Sequence, residues 1–164
     1  MIRKETAEDL PEVEKIYARA RAYMKETGNP NQWKDSHPSM ELVRGDIADG
    51  TGYVAFDEDG IYGVFRFAVE EDPTYLKIDG AWLNDEPYGV IHRIAASGRR
   101  KGLLREVCEF ADGFAPDIRI DTHADNAVMH HLLKKLGFTR CGVIYLANGE
   151  PRIAYQRARK PEKA

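Results

Sequence analysis

The chain has 164 residues, of which 43% are hydrophobic and 31% are charged, and its formal net charge is −3. These values are typical of one globular domain that buries a core of its own. The negative charge disfavours a dedicated nucleic-acid binder, no apolar run is long enough to span a membrane, and the N-terminus lacks the apolar core of a secretory signal. We therefore expect a cytoplasmic protein with neither a membrane nor a nucleic-acid partner.

Hydrophobic periodicity and capping residues predict strands and helices along the whole chain. Thr6–Asp9 is a helix-capping pattern, Ser39 is a typical N-cap residue, and Asn148–Gly149 is a strong hairpin signal. In chain order we predict a strand at 2–4, a helix from Leu10 that ends before Gly28–Pro30, a short helix after Ser39, a hairpin of strands 53–56 and 61–69, a strand at 88–96, a helix from Leu103 through Ala111, a strand at 118–123, a helix ending at Gly137, and a hairpin of strands 141–146 and 151–156. We assign 1–157 to one α+β domain and 158–164 to a frayed tail.

The two cysteines favour a reducing compartment. Cys108 falls in a predicted helix and Cys141 in a predicted strand, far apart and without the spacing of metal ligands. We expect reduced thiols in the core of a cytosolic protein, and no metal site.

The segment from 88 to 111 predicts an anion-binding turn. A strand-like run leads into the basic turn Arg99–Gly102, and a helix pattern follows. Such a turn presents free backbone N–H groups and the positive end of a helix dipole to an anion. Cations are unusual at the start of a helix unless an anion binds there. The alternative interpretation is a solvated basic surface. The spacing fits neither G-x-x-x-x-G-K-[ST] nor G-x-G-x-x-G.

Two blocks of the sequence resemble motifs of the GNAT-type N-acetyltransferases. The basic turn fits [QR]-x-x-G-x-[GA] at Arg99 and Gly102, while Leu104 stands where a small residue is usual. The segment 126–138 is similar to the block N-x-x-A-x-x-L-Y-x-K-x-G-F. It matches at Asn126, Leu132, Lys135, Gly137 and Phe138, with Met129 in the alanine position and Leu133 in the tyrosine position. Two blocks in this order are much more specific than either alone, and the resemblance extends over nearly the whole chain.

The resemblance implies an α+β fold whose mixed, mostly antiparallel central sheet is flanked by helices. Two parallel strands, 88–96 and 118–123, would splay apart at the cofactor site. Acetyl-CoA would be the acyl-donor cosubstrate, with its pyrophosphate at the basic turn and its pantetheine paired with the backbone of 92–94 like an added strand. The cofactor-binding residues implied are His92, Arg93, Ile94, Arg99, Arg100, Lys101, Gly102, Leu103, Leu104, Arg105 and Asn126.

The resemblance also implies a base for the attacking amine and backbone N–H groups that stabilise an oxyanion. The family often places Glu or His on the strand before the turn, at positions that correspond here to Tyr88 and Val90. His92 shares their face by strand alternation, and histidine can act as a base directly or through water. A structural histidine in the core is the alternative. The candidate catalytic residues are His92, Tyr88 and His123.

Leu133 cannot donate a proton, although the family commonly has a tyrosine there as general acid. Either Tyr145, Tyr155 or Tyr88 substitutes for it, or no acid is needed because a thiol leaves readily as its thiolate.

We therefore predict an enzyme that transfers an acetyl group from acetyl-CoA to a primary amine of a small molecule, by direct attack in a ternary complex. A non-catalytic acyl-CoA-binding sensor or regulatory module is the main alternative. A nucleic-acid binder that uses Arg99–Lys101 and a user of another acyl-CoA also stay open. The sequence identifies neither the acceptor nor the oligomeric state, and a homodimer is compatible with it.

Two long irregular stretches, 29–38 and 70–87, are candidates for contact with the acceptor. The second carries six acidic residues and a single lysine, so we predict a small cationic amine, attracted by carboxylates and held by cation–π contact. A solvated loop with its tryptophan packed on the core explains the same composition. The predicted substrate-binding residues are Trp33, Trp82, Asp85 and Glu86.

Overall fold

The computed structural model describes residues 1–158, which are organised around an eight-stranded sheet. The strands are β1 (Ile2–Lys4), β2 (Gly52–Asp57), β3 (Gly60–Val69), β4 (Asp79–Gly80), β5 (Tyr88–Ala96), β6 (Asp117–Thr122), β7 (Thr139–Tyr145) and β8 (Pro151–Ala158). The helices are α1 (Leu10–Glu26), α2 (Met40–Asp49), α3 (Leu103–Asp112) and α4 (Ala127–Lys135). In space the strands run β1-β2-β3-β5-β6-β8-β7-β4, and all neighbours are antiparallel except β5 and β6. This confirms the predicted mixed, mostly antiparallel α+β fold.

Helices with one apolar face cover both sides of the sheet. Tyr17 of α1 and Val43 of α2 are buried in one cluster with Val64 of β3. Leu104 of α3 is buried in another cluster with Phe65, the next residue of β3. Successive side chains of a strand point to opposite faces of the sheet. Helices α1 and α2 therefore pack on the face of Val64, and α3 packs on the face of Phe65.

The parallel strands β5 and β6 are neighbours only at their N-terminal ends. The pairing covers 88–90 and 117–119, after which β5 continues along β3 and β6 along β8. The register of β5 against β3 shifts near Arg93, which has a φ of +52°, so β5 bulges there. The expected splay is present, and the backbone of β5 after Val90 has no pairing with β6.

Some predicted boundaries differ from the structure. The stretch 70–87 contains the short strand β4 and a 3₁₀ turn at Pro73–Tyr75. His123 lies just beyond β6, and Ala158, expected in the tail, ends β8. The remainder of the predicted tail, 159–164, lies outside the described residues.

Both cysteines are free thiols. Cys108 is buried as predicted, whereas Cys141 on β7 is partly exposed, because its strand lies near the edge of the sheet. Every helix within residues 1–158 is too short or too polar to cross a membrane.

Candidate active site

The N-terminus of α3 is a helix end without a side-chain cap. Gly102 takes the N-cap position with a φ of +89°, and no described side chain accepts from the first turn. This left-handed backbone suits glycine, and the space beside its α-carbon is open. The first intrahelical bond runs from the N–H of Glu106 to the carbonyl of Gly102, so the N–H groups of 103–105 have no helical partner. Such an end binds anions.

A cleft of about 650 Å³ opens at this helix end, between α1, the end of β5 and α4, and we call it the α3 cleft. No aspartate or glutamate is among the described residues that line it, so its field attracts a polyanion. Its five cationic side chains are Arg19, Arg100, Lys101, Arg105 and Lys135. Arg19 of α1 lies against Gly98, the residue just before the basic turn. Because the two residues are far apart in the sequence, folding alone brings them together.

The basic residues of the turn do not share one role. Arg99 makes two bonds to Asp57, at 2.7 and 2.9 Å, and does not line the α3 cleft. Arg100 reaches Asp57 at 3.1 Å and lies 4.2 Å over the ring of Tyr62. Hydrogen bonds from Arg99 and then from Arg100 hold the pKa of Asp57 well below its usual range. Arg99 therefore braces the turn, while Arg100 and Lys101 line the cleft.

A second cleft, of about 500 Å³, opens on the other side of the splay, and we call it the β6 cleft. The two clefts share Met24, Ile94, Asn126 and Met129, so they meet where β5 and β6 separate. Asn126 caps α4 by accepting from the N–H of Met129 at 3.1 Å, and its amide donates to Gln32 at 3.0 Å. This motif residue therefore holds the junction of the clefts in place.

His92 lies in the β6 cleft between two carboxylates. Its Nε2 is 2.6 Å from Oδ2 of Asp72, and its Nδ1 is 4.0 Å from Oδ2 of Asp121. Tyr75 donates to the same oxygen of Asp121 at 2.7 Å. Neither aspartate was identifiable from the sequence, because they are remote from His92 along the chain and belong to no motif.

Asp72 orients the imidazole ring of His92. Burial raises the pKa of this carboxyl, but hydrogen bonds from His92 and Thr74 outweigh it and lower the pKa to about 2. An ionised carboxylate only accepts hydrogen bonds, so Nε2 carries a proton and Nδ1 of the neutral ring keeps its lone pair. The basic nitrogen therefore faces Asp121 in the cleft.

Side chains from α1 and α2 hold the bulge of β5. The left-handed backbone of Arg93 costs about 1–3 kcal/mol for a residue with a side chain. Tyr17 donates to its carbonyl at 2.8 Å, and Asp46 accepts from two nitrogens of its guanidinium. Arg66 of β3 is 3.7 Å from the same carboxylate. These contacts fix the strand segment predicted to pair with the cofactor.

Two of the predicted catalytic residues line neither cleft. The hydroxyl of Tyr88 accepts from the N–H of Asp72 at 3.0 Å, and its ring lies 3.9 Å from the guanidinium of Arg119. His123 accepts at Nδ1 from the N–H of Asp125 at 3.0 Å. Of the three predicted catalytic residues, His92 alone lines a cleft. Within residues 1–158, no group of three His, Cys, Asp or Glu side chains could hold a metal ion.

The tyrosines considered as substitutes for Leu133 are engaged elsewhere. Leu133 is fully buried in the core. The hydroxyl of Tyr155 is 2.5 Å from Nδ1 of His130, and Tyr145 donates to an aspartate of β4 at 2.8 Å. Tyr23 of α1 is the single tyrosine among the described residues that line the two clefts.

The predicted substrate-binding residues separate into two places. Trp33 is buried and lines the β6 cleft. Trp82 donates to a backbone carbonyl at 2.9 Å, and Arg119 lies 4.1 Å from its ring, so its face already holds a cation. Asp85 and Glu86 are exposed and line neither cleft. The loop that carries them leads into the N-terminal end of β5, whereas the α3 cleft lies at the C-terminal end of that strand. Of the four predicted substrate-binding residues, Trp33 alone lines a cleft.

Solved structures share this fold over the whole chain. A GNAT-family acetyltransferase from Streptococcus agalactiae is 29% identical, with 98% of this chain and 96% of that chain covered and a TM-score of 0.86. A Staphylococcus aureus protein described as an acetyltransferase is 28% identical, with 98% and 99% covered and a TM-score of 0.71. A GNAT-family acetyltransferase from Listeria monocytogenes has the same fold at 20% identity, with 96% and 94% covered and a TM-score of 0.70. No protein-family profile and no curated protein matches the sequence.

The motifs, the topology and these similarities agree. Residues of the basic turn and of the second block, which starts at Asn126, line the α3 cleft together, and the end of β5 beyond its pairing with β6 lines the same cleft. The chain therefore has the fold of the GNAT-family acetyltransferases, and its two motif blocks and its 28–29% identical neighbours support the GNAT-type N-acetyltransferase superfamily.

Proposed function

We propose that the chain transfers an acetyl group from acetyl-CoA to the primary amine of a small molecule, by direct attack in a ternary complex. The observation that carries this proposal is the meeting of two clefts at the splay. Five cations line one cleft, and His92 and Asp121 line the other. A donor and an acceptor bound in separate clefts would have their reactive groups side by side, which converts a bimolecular reaction into an intramolecular one.

The residues of the α3 cleft fit CoA. CoA carries a pyrophosphate and a third phosphate, which suit the uncapped N-terminus of α3 together with Arg100 and Lys101. The backbone of β5 after Val90 is unpaired on the side of β6, so it can take the amides of an extended arm as a strand would. A NatB acetyltransferase complex with this fold is bound to CoA; it is 14% identical, with 98% and 99% covered and a TM-score of 0.63. Acetyl-CoA supplies an activated thioester carbonyl.

His92 is the base in this proposal. Its Nδ1 and Oδ2 of Asp121 are 4.0 Å apart, so an amine nitrogen beside the gap can hydrogen bond to both. Asp121 would orient the incoming ammonium group, and Nδ1 would accept its proton. The ionised carboxylate of Asp72, on the far side of the ring, stabilises the imidazolium that forms.

The departing thiolate requires no acid from the chain. A thiol of ordinary pKa near 8.5 leaves far more easily than an alcohol would, which agrees with a buried leucine at position 133. Backbone N–H groups at the splay would stabilise the oxyanion that develops on the carbonyl.

Two measurements on the purified protein test this function. Calorimetry with acetyl-CoA should show binding, and a panel of primary amines should then release free CoA as each amine is acetylated. Binding without release of CoA with any amine would instead support the sensor. Absence of acetyl-CoA binding would contradict both.

A further inference from the structure

Arg152 of β8 is a buried cation in the wall of the β6 cleft. Its side chain is 6% exposed, and it donates to the carbonyls of Pro151 and Gln32 at 2.8 and 3.3 Å. Among the described residues, the carboxylate within ion-pair distance is that of Glu150, at 3.3 Å. Good pairs of this kind have separations of about 2.7–2.9 Å. The guanidinium therefore keeps hydrogen-bonding capacity for a closer anion.

Arg152 lies on the same face of the sheet as the amine-binding pair. Asp121 of β6 pairs directly with Ala154 of β8, so their side chains share a face, and Arg152, two residues along, returns to it. Diagonal neighbours of this kind are about 7–8 Å apart. The β6 cleft thus has a carboxylate and a base at one end and a cation at the other, within the length of a small molecule.

The carboxylate of Glu150 occupies the position beside Arg152 and Lys34 that a bound anion would take. It bridges Arg152 and Lys34, with the amine of Lys34 at 3.1 Å. The side chain of Glu150 is 34% exposed and that of Lys34 is 59% exposed. The Lys34–Glu150 pair is exposed to solvent, and such pairs are weak, so another carboxylate can replace Glu150 at Lys34 with little loss. At the buried Arg152 an incoming carboxylate would restore the ion pair that Glu150 gives up.

We propose that the acceptor is a small amine that also carries a carboxylate, which is an amino acid in the chemical sense. Arg152 and Lys34 bind the carboxylate, and Asp121 and His92 bind the amine. The cleft volume of about 500 Å³ suits such a molecule, because small-molecule sites span about 300–1,000 Å³. This acceptor differs from the purely cationic amine predicted from the acidic loop, whose Asp85 and Glu86 lie outside the cleft. The proposal rests on the proposed acetyl transfer.

A set of matched acceptors measures how much the acceptor's carboxylate contributes to kcat/KM. Free α-amino acids, their carboxamides and the corresponding decarboxylated amines share the reacting group but differ in the anion. We expect kcat/KM to be at least tenfold higher for the best free acid than for its carboxamide. Arg152→Met should lower kcat/KM for the acid roughly ten- to a hundredfold, as expected for a lost charged hydrogen bond, and change it little for the carboxamide. Arg44→Met, at an exposed arginine of α2 that lines neither cleft, is the control.

Glu150→Gln is a second test, in which the direction of the change in KM decides the outcome. It applies even if Arg152→Met does not fold. Because the substitution removes a competing carboxylate, it should lower KM for the free acid severalfold. If Glu150 instead binds a cationic acceptor, the same variant would raise KM for the decarboxylated amine, and the proposal would be overturned. Equal rates for acid and carboxamide would also overturn it.

A binding measurement separates this proposal from the enzymatic one. Calorimetry of the CoA complex with a free acid and its carboxamide needs no turnover. Tighter binding of the acid, abolished by Arg152→Met, would support the carboxylate site even if no acetyl transfer were detected. Equal or tighter binding of the carboxamide would reject the site while leaving acetyl transfer to other amines intact.

Discussion

Nε2 of His92 lies 2.6 Å from Oδ2 of Asp72, although 20 positions separate the two residues in the chain. The contact turns the opposite ring nitrogen, Nδ1, toward Asp121 and the β6 cleft. Tyr88, predicted as a catalytic residue, instead accepts from the N–H of Asp72 and keeps that carboxylate in position. The arrangement makes Asp72 a positioning residue whose effect should be visible in the pH dependence of the rate.

Asp72→Asn tests that role. Because the carboxylate stabilises the protonated ring, its loss should lower kcat/KM by about ten- to a hundredfold and change the rate–pH profile. His92→Ala should lower the rate further. Steady-state kinetics across the pH range measure both effects.

A matched control uses an aspartate outside both clefts. Asp79 of β4 contacts Tyr145 at the sheet edge, so Asp79→Asn should leave the profile unchanged. A profile for Asp72→Asn that coincides with the wild-type profile would show that the aspartate holds the loop without acting on His92.

Gly102→Asp should abolish most acetyl-CoA binding. The new carboxylate would face the anion-binding end of α3, where the space beside Gly102 is open. Gly102→Asn is the matched control, because asparagine has the same shape without the charge and also tolerates the left-handed backbone. Calorimetry should give a Kd at least tenfold weaker for the aspartate variant than for the asparagine variant. Equal affinities would place the phosphates elsewhere.

Tyr17→Phe should weaken cofactor binding indirectly, through the backbone of β5. The substitution removes the donor to the carbonyl of Arg93, so the bulge of β5 loses one of its supports. We expect the free energy of unfolding to fall by about 1 kcal/mol and KM for acetyl-CoA to rise severalfold. Tyr145→Phe, at an exposed tyrosine outside both clefts, should change neither. A Tyr17→Phe enzyme with wild-type KM would separate the bulge from the cofactor.

Glu5 should make folding stability fall as the pH rises. Burial, then the nearby Asp46 and Asp9, raise its pKa from 4.5 to about 7, and its Oε2 is buried without a hydrogen-bond partner among the described residues. Between these two pH values the folded protein holds a proton that the unfolded chain has released. Its contribution is therefore complete below about pH 4.5 and lost above about pH 7, by up to about 2 kcal/mol once solvent screening is allowed for.

Chemical denaturation of the wild type and Glu5→Gln, followed across this range, isolates the effect. The glutamine stays neutral, so the difference in unfolding free energy between the two proteins should change by this amount between pH 4.5 and 7. Parallel curves would show that Glu5 keeps an ordinary pKa in the folded state.

Structural features that depend on a few consecutive residues can be predicted from the sequence. The capping pattern before α1, the glycine at the start of α3 and the turn at Asn148–Gly149 each depend on a few neighbouring residues, and each element forms within a few positions of its prediction. The two motif blocks placed the walls of the α3 cleft, because the order of strands and helices brings them together.

Contacts between distant residues were not predictable in this way. Asp46 and Arg93 are 47 positions apart in the chain, and no sequence pattern relates them. Arg19 meets Gly98, just before the basic turn, only after α1 packs on β5. Composition predicts that Trp82 and the acids beside it contact the substrate, yet Arg119 covers the ring of Trp82. Composition reports which side chains a loop carries, but not the surface to which the fold directs them.

Single-turnover transfer of labelled acetyl tests direct attack at the splay most directly. With enzyme in excess over acetyl-CoA labelled in the acetyl group, the label should stay on acetyl-CoA until an amine is added. It should then move to the amine in one step, about a hundredfold more slowly in His92→Ala. Label that moves to the protein without an amine, or that stays on acetyl-CoA with every amine, would contradict direct transfer.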